Sequence, residues 1–194
     1  MIARLVMIAA LAGCALTSKA PPRELRYFAP SPVVATTPAA TPVARAARVR
    51  LGRITASAHL RYPIEHRTSE VEITPYETLR WTELPDAYVR RSLSRALFEA
   101  RPLEQAIGGS AATLDVEILA FEEVTRAGRS AGRVHLRYEL RDDRRVLAHD
   151  RVVIERAAAD PSIDQVVVAI GAAMEAATAE LADRVATELT VAGP

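Results

Sequence analysis

The chain has 194 residues, with 25 basic and 24 acidic side chains and a formal net charge of +1. This length is typical of one domain with tails, and the shares of hydrophobic (49%) and charged (25%) residues exclude wholesale disorder and low-complexity fibres. The near-neutral charge lacks the broad electrostatic footprint of a nucleic-acid binder, and a single cysteine excludes an internal disulfide framework and a multi-cysteine metal site.

The first residues have the organisation of a bacterial export signal. Arg4 precedes a short apolar run at residues 5–11, which is too short to span a bilayer as a stable anchor. The run leads into Leu-Ala-Gly-Cys at positions 11–14, which resembles a lipobox: small residues at the cleavage site precede a thiol that accepts lipid. We predict a lipoprotein signal peptide over residues 1–13 and a lipidated, palmitate-bearing Cys14. The alternative is an ordinary secretory signal with a chance cysteine. Alanine rather than aspartate at position 15 indicates the outer membrane.

Residues 14–46 are predicted to form a flexible tether. They hold half of the chain's 12 prolines, separated largely by alanine and threonine, and show no periodicity. An isolated apolar segment within them contains Tyr27 and Phe28. Two interpretations stay open for this segment: a short strand added to the edge of the domain's sheet, or a disordered aromatic pair.

Regular patterns begin at Arg48 and predict one domain over residues 47–191. Alternating apolar residues around Val49 indicate a strand with a bulge at Gly52. Further extended stretches are predicted near residues 60–67 and 70–73. The aromatic run that ends at Trp81 is expected to lead into a helix that starts near Pro85.

The second half of the domain is predicted to contain three strands and a long helix. Alternation at residues 113–118, 134–141 and 146–154 indicates the strands, the last two joined by a polar turn at residues 142–145. Helical spacing then runs from Asp160-Pro161 to near the C-terminus. The order of elements predicts an α+β fold: a mainly antiparallel sheet with two helices packed on one face.

The first half of the last helix is apolar nearly all round, which leaves two interpretations open. Either a second surface contacts a partner or another copy of the chain through Val166, Val168, Ala169, Ala172 and Ala173, with Val168 and Ala172 as the contact residues, or this face is simply core beneath the strands. We favour the partner surface.

No catalytic constellation emerges from the sequence. The four histidines, His59, His66, His135 and His149, lack metal-ligand spacing and are predicted to be solvated. The acidic pairs Glu122-Glu123 and Asp142-Asp143 are predicted to flank strand ends, where charges are solvated. We therefore assign no catalytic, metal or cofactor-binding residue and predict that the protein is not an enzyme.

The order of these features resembles the ABC-type transport auxiliary lipoproteins, the PqiC-like outer-membrane lipoproteins. The matching pieces are the lipobox, the Leu-Arg-Tyr-Phe segment at residues 25–28, residues 48–67, the run Tyr-Glu-Thr-Leu-Arg-Trp at 76–81, the following helix, the paired strands at 113–121 and 132–140, and the terminal helix. One departure is Ser-Ala-His-Leu at residues 57–60, where relatives carry a turn similar to Pro-Asp-Tyr-Leu.

The resemblance implies a non-enzymatic lipoprotein without a cofactor. It would be anchored in the outer membrane, would face the periplasm, and would dock the lipid transport assembly formed by an ABC transporter and its MCE-domain (mammalian cell entry) periplasmic protein. Self-association into a ring that meets this assembly is the version we favour. The alternative function is a lipid-binding carrier that takes up acyl chains between sheet and helices.

Overall fold

The computed structural model describes residues 23–30 and 47–191. The predicted signal peptide and most of the predicted tether lie outside the described residues. The described residues form eight strands and two helices: β1 (Arg26–Phe28), β2 (Ala47–Ala56), β3 (Pro63–Arg67), β4 (Ile73–Trp81), α1 (Pro85–Phe98), β5 (Leu103–Gln105), β6 (Ala112–Arg126), β7 (Arg129–Arg141), β8 (Val146–Ala157) and α2 (Ile163–Val191).

Strand β6 organises the single sheet because it is the longest strand and pairs with three others. On one side it pairs antiparallel with β7, which in turn pairs antiparallel with β8. On the other side its first half pairs in parallel with β2 and its second half in parallel with β3. Beyond these, β5 pairs in parallel with β2, β4 pairs antiparallel with β3, and β1 pairs in parallel with β4.

The sheet is therefore mixed, and the prediction of a mainly antiparallel sheet is wrong. Four of the seven strand pairings are parallel. The α+β class with two helices is confirmed. The physical reason for the error is that β2 and β3 reach β6 through long connections that contain α1, whereas the apolar–polar alternation of a half-buried strand is the same in either orientation.

The core lies between the sheet and the two helices. Alternate residues of β6 and β7 point into it, and the helices contact each other through a hydrogen bond of 2.7 Å between the hydroxyls of Ser92 and Thr178. Trp81 is 1% exposed and lies edge-on to Phe121 and Tyr88, at centroid distances of 5.2 and 6.2 Å. These three aromatic side chains thus fill the corner between β4 and α1.

Helix α2 lies unusually close to the sheet at Gly132. A Cβ atom at this position would be 2.2 Å from the backbone nitrogen of Ile170, so only glycine fits there. This close approach explains why the first half of α2 is built from small apolar residues, several of which, such as Val166 and Ala173, are fully buried. By length and composition α2 could cross a membrane, but 61% of its most apolar stretch is buried within the domain, as is typical of a core helix.

Several local predictions are confirmed and others are wrong. A register shift between Leu51 and Ile54 confirms the bulge at Gly52, and β1 confirms the strand interpretation of the segment that contains Tyr27. The aromatic run at residues 76–81 leads into α1 at Pro85 as predicted, but it belongs to strand β4, and residues 70–72, predicted to be extended, form the loop before it. Pro75 is tolerated within β4 because β1 pairs only with residues 79–81, which leaves the strand an edge at the proline.

Candidate functional site

The predicted contact residues lie on two elements that are neighbours in the fold. On β1, Tyr27 is 60% exposed and Phe28 is half-buried; on α2, Val168 is 55% exposed and Ala172 is half-buried. The guanidinium of Arg26 lies 3.9 Å from the carboxylate of Asp164, one helical turn before Val168, so β1 adjoins the start of α2. Their role as partner contacts stays a prediction, and Cys14 lies outside the described residues.

The structure resolves the two interpretations of the apolar half of α2 residue by residue. Val166, Ala169 and Ala173 are core residues that face the sheet, so for them the expectation of a second surface is wrong. Val168 remains exposed because it lies on the opposite side of the helix. The exposed apolar surface of α2 is therefore narrower than the sequence indicated.

The helix-free face of the sheet carries a polar groove of about 580 Å³. Its floor is formed by residues of β2, β6, β7 and β8 that alternate with the core residues of the same strands. The residues that line it are Val116, Tyr138 and seven polar or charged residues: Arg53, Thr55, Asp115, Glu117, Arg137, Glu139 and His149. The groove therefore presents both signs of charge on a rigid floor of paired strands.

Ion pairs across neighbouring strands fix the charges of this groove. Arg137 of β7 pairs with Glu117 of β6, and Arg141 lies 3.2 Å from Asp115. The carboxylate of Asp115 also accepts a hydrogen bond of 2.7 Å from the backbone N–H of Arg53, at the bulge beside Gly52. A Cβ atom on Gly52 would lie 2.3 Å from that carboxylate, so the glycine makes room for it.

A second polar cluster is buried toward the other end of β6. The carboxylate of Glu122 is fully buried and accepts hydrogen bonds of 2.7 and 3.3 Å from the guanidinium of Arg67, with Arg133 3.9 Å away. Glu65 is 5% exposed and pairs in register with Glu122. Burial, and secondarily the charge of Glu122, raises the pKa of the Glu65 carboxyl above its ordinary value.

Glu123 is buried as well, but it faces the helix side of the sheet. Its carboxylate accepts a hydrogen bond of 2.5 Å from the hydroxyl of Tyr76, whose pKa is raised by burial and then by this hydrogen bond. The ring of Tyr76 stacks on His66 at 5.5 Å, and His66 Nε2 lies 2.9 Å from the hydroxyl oxygen of Thr125. These contacts join β3, β4 and β6 on the core side of the sheet.

The prediction that Glu122 and Glu123 are solvated is therefore wrong, and two histidines also differ from expectation. His59 and His149 are exposed as predicted, whereas His66 and His135 are half-buried. Burial, followed by the charges of neighbouring arginines, lowers the pKa of His135, and its Nε2 has no hydrogen-bond partner among the described residues. Within residues 23–30 and 47–191, no group of three or more His, Cys, Asp and Glu side chains is arranged to hold a metal ion.

Comparison with known proteins decides the family. The model of the ABC-type transport auxiliary lipoprotein component matches residues 30–186. The chain belongs to this family. The resemblance seen in the sequence is thereby confirmed, and the family places the protein among membrane-anchored lipoproteins of the cell envelope that assist ABC transport. No curated protein matches the chain.

Solved structures share the fold at low sequence identity. Protein XCC0632 from Xanthomonas campestris is 21% identical, with a TM-score of 0.71 over 84% of this chain and 96% of that chain. An uncharacterized protein is 13% identical, with a TM-score of 0.66 over 84% and 99%. A hypothetical protein from Chlamydia trachomatis is 11% identical, with a TM-score of 0.54 over 75% and 98%. At such identities the likeness concerns the fold alone.

Proposed function

We propose that the protein is a non-enzymatic outer-membrane lipoprotein that docks an ABC and MCE-type lipid transport assembly to the outer membrane from the periplasmic side. The observation that carries this proposal is the family match over residues 30–186, which begins 16 residues after the lipobox cysteine, Cys14. Acyl chains on Cys14 would anchor the protein, since each buried methylene contributes about 0.8 kcal/mol. The folded domain then supplies the contacts to the assembly.

The polar groove supports a docking role over the alternative of a lipid carrier. A site for acyl chains is lined mainly by apolar side chains, whereas this groove is lined by fixed charges of both signs. A protein surface with complementary charges fits such a groove, and complementary charges set the register of partners at an interface. The space between helices and sheet is occupied by core side chains such as Trp81 and Leu136.

The edge formed by β1 and the start of α2 is the second proposed contact surface. Tyr27 and Val168 offer exposed apolar side chains there, and Ala172 lets another backbone approach closely. We assign these residues, with Phe28, to contacts with a second copy of the chain or with the MCE-domain protein.

Affinity purification tests this function. A C-terminally tagged full-length chain is expressed in its own cells, crosslinked, and purified from the membrane fraction, and captured proteins are identified by mass spectrometry. We expect an MCE-domain protein and ABC transporter components in the wild-type sample and their depletion in a Cys14→Ala sample. Repeated capture without any transporter component would contradict the proposal.

A further inference from the structure

Of the described residues, the segment nearest to the lipobox contains strand β1, which is fixed to the domain. Strand β1 pairs in register with β4, from Arg26 opposite Leu79 to Phe28 opposite Trp81, and the N–H of Thr82 donates a hydrogen bond of 2.9 Å to the carbonyl of Phe28. Upstream of β1, Arg23 forms an ion pair with Glu77. The path from Cys14 to the domain therefore ends at Arg26, the first residue that pairs with the sheet.

The direction of β1 defines where this path comes from. The domain has a hairpin end, formed by the β6–β7 turn at residues 127–128 and the loop at residues 68–72, which Arg126 and Glu70 join at 3.8 Å. Strand β4 starts at this end and runs away from it, because Ile73 pairs with Arg67 and Arg67 pairs with Val124. Since β1 is parallel to β4, residues 23–25, which precede β1, lie on the hairpin-end side of it.

The opposite end of the domain, the Ile107 end, comprises the loop at residues 106–111 and the turn at residues 142–145. A hydrogen bond of 3.0 Å from Ser110 to Asp143 joins the two segments. The 15 residues of β6 separate the two ends by about 50 Å at 3.3 Å per residue. Arg80 of β4 pairs with Pro63, four residues along β3 from Arg67, so Arg26, opposite Leu79, is about 13 Å from the hairpin end and about 37 Å from the other.

The reach of the anchor favours the hairpin end. Twelve steps along the chain separate Cys14 from Arg26, which span at most about 40 Å when fully extended. That distance covers the hairpin end easily, whereas the Ile107 end would require a nearly fully extended chain that also reverses its direction at β1.

We propose that the hairpin end faces the surface of the bilayer that holds the acyl chains, and that the Ile107 end points away from it into the periplasm. This inference rests on the proposed lipidation of Cys14. At the hairpin end, Val71 is 94% exposed, and the exposed Arg129 lies directly after the turn, where it can contact anionic headgroups. At the far end, Ile107 is equally exposed, at 94%.

Two matched positions allow a direct test with the lipidated full-length chain. Val71→Cys and Ile107→Cys each introduce the only free thiol, because Cys14 is the chain's single cysteine and its sulfur carries lipid. Each variant is labelled with a fluorophore and reconstituted into vesicles of phosphatidylethanolamine and phosphatidylglycerol that contain an acceptor-labelled lipid. We expect strong energy transfer from position 71 and at least threefold weaker transfer from position 107. Equal transfer, or stronger transfer from position 107, would overturn the inference.

A longer tether tests whether the length of the path from Cys14 causes the orientation of the domain. A flexible insertion of twenty glycine and serine residues between Ala20 and Pro21 would let either end approach the bilayer, so the difference between positions 71 and 107 should shrink. An unchanged difference would contradict the role given to the short path.

The intact mass of the purified protein shows whether Cys14 carries lipid, on which both proposals rest. A chain without lipid on Cys14 would overturn both proposals, whereas a lipidated chain with the wrong orientation would overturn only this one.

Discussion

At the scale of single residues, Glu122 carries a charge in the interior of the sheet. Arg67, from a strand more than fifty residues earlier in the chain, binds its carboxylate at 2.7 Å with little exposure of either side chain. Removal of one partner from a buried ion pair leaves a charge without compensation, at a cost of about 3–5 kcal/mol. We expect Arg67→Met to lower the free energy of unfolding, measured by urea denaturation, by an amount near this range. The loss should lie in the lower half of the range, because Arg133 also lies near the carboxylate of Glu122.

An exposed pair of the same geometry provides the control. Arg91 lies 2.6 Å from Glu83, and about half of each side chain is exposed. Such surface pairs contribute about 0–1 kcal/mol, so Arg91→Met should shift the urea midpoint only slightly. Equal effects of the two substitutions would contradict the account of Glu122 as a buried ion pair.

The buried carboxyl of Glu65 should make the free energy of unfolding depend on pH. Its pKa is raised in the folded state, mainly by burial, so the folded chain keeps this proton in a pH range where the unfolded chain has released it. The carboxyl therefore destabilises the fold as pH rises from the unfolded pKa of about 4.3 through the raised folded value. Glu65→Gln should be more stable than wild type at pH 8, and the difference should shrink toward pH 4. Urea midpoints measured across this range that show a constant or widening difference toward acid would contradict the assignment.

The burial of these carboxylates could not be predicted from local sequence. In the sequence, Glu122 and Glu123 follow an alternating stretch and resemble the solvated end of a strand. No residue close to them along the chain indicates a partner for their carboxylates. Their partners, Arg67 and Tyr76, belong to β3 and β4, which reach β6 only through tertiary pairing. The bulge at Gly52 could be predicted because its signal, a phase shift of apolar residues at a glycine, is local.

At the scale of elements, the predictable parts were those with a long and uniform period. The strands β6, β7 and β8 and the two helices follow such periods, and the structure has all five, although β6 and β7 extend beyond the predicted alternation to a turn at residues 127–128. Strand β4 was missed because its apolar residues at positions 76, 79 and 81 do not alternate. Parallel pairing was missed because the period of a strand carries no information on the direction of its neighbour.

Helix α2 offers a test of the proposed contact surface with adjacent residues as a matched pair. Val168 is 55% exposed, whereas Val167 is 5% exposed. We expect Val168→Glu to melt within a few degrees of wild type but to lose self-association or capture of the transporter partner. Val167→Glu should unfold the domain, because a buried charge without a partner costs several kcal/mol. Circular dichroism and size-exclusion chromatography separate these outcomes; a folded Val168→Glu protein with unaltered assembly would contradict the surface.

At the scale of the whole molecule, the anchor and the folded domain should be separable. The described domain has its own core. We expect Cys14→Ala to keep the melting temperature of the mature domain while the protein moves from the membrane to the soluble periplasmic fraction. Recovery of this variant in the outer-membrane fraction at wild-type levels would contradict lipid anchoring.

Recruitment to vesicles tests the docking claim most directly. Vesicles that carry the lipidated chain are mixed with the purified MCE-domain protein from the same cells and floated on a density gradient, and vesicles without the chain serve as the control. The account predicts that the MCE-domain protein floats with the loaded vesicles and stays at the bottom both with bare vesicles and with bare vesicles mixed with Cys14→Ala protein. An MCE-domain protein that stays at the bottom in the presence of correctly lipidated, folded chain would contradict it.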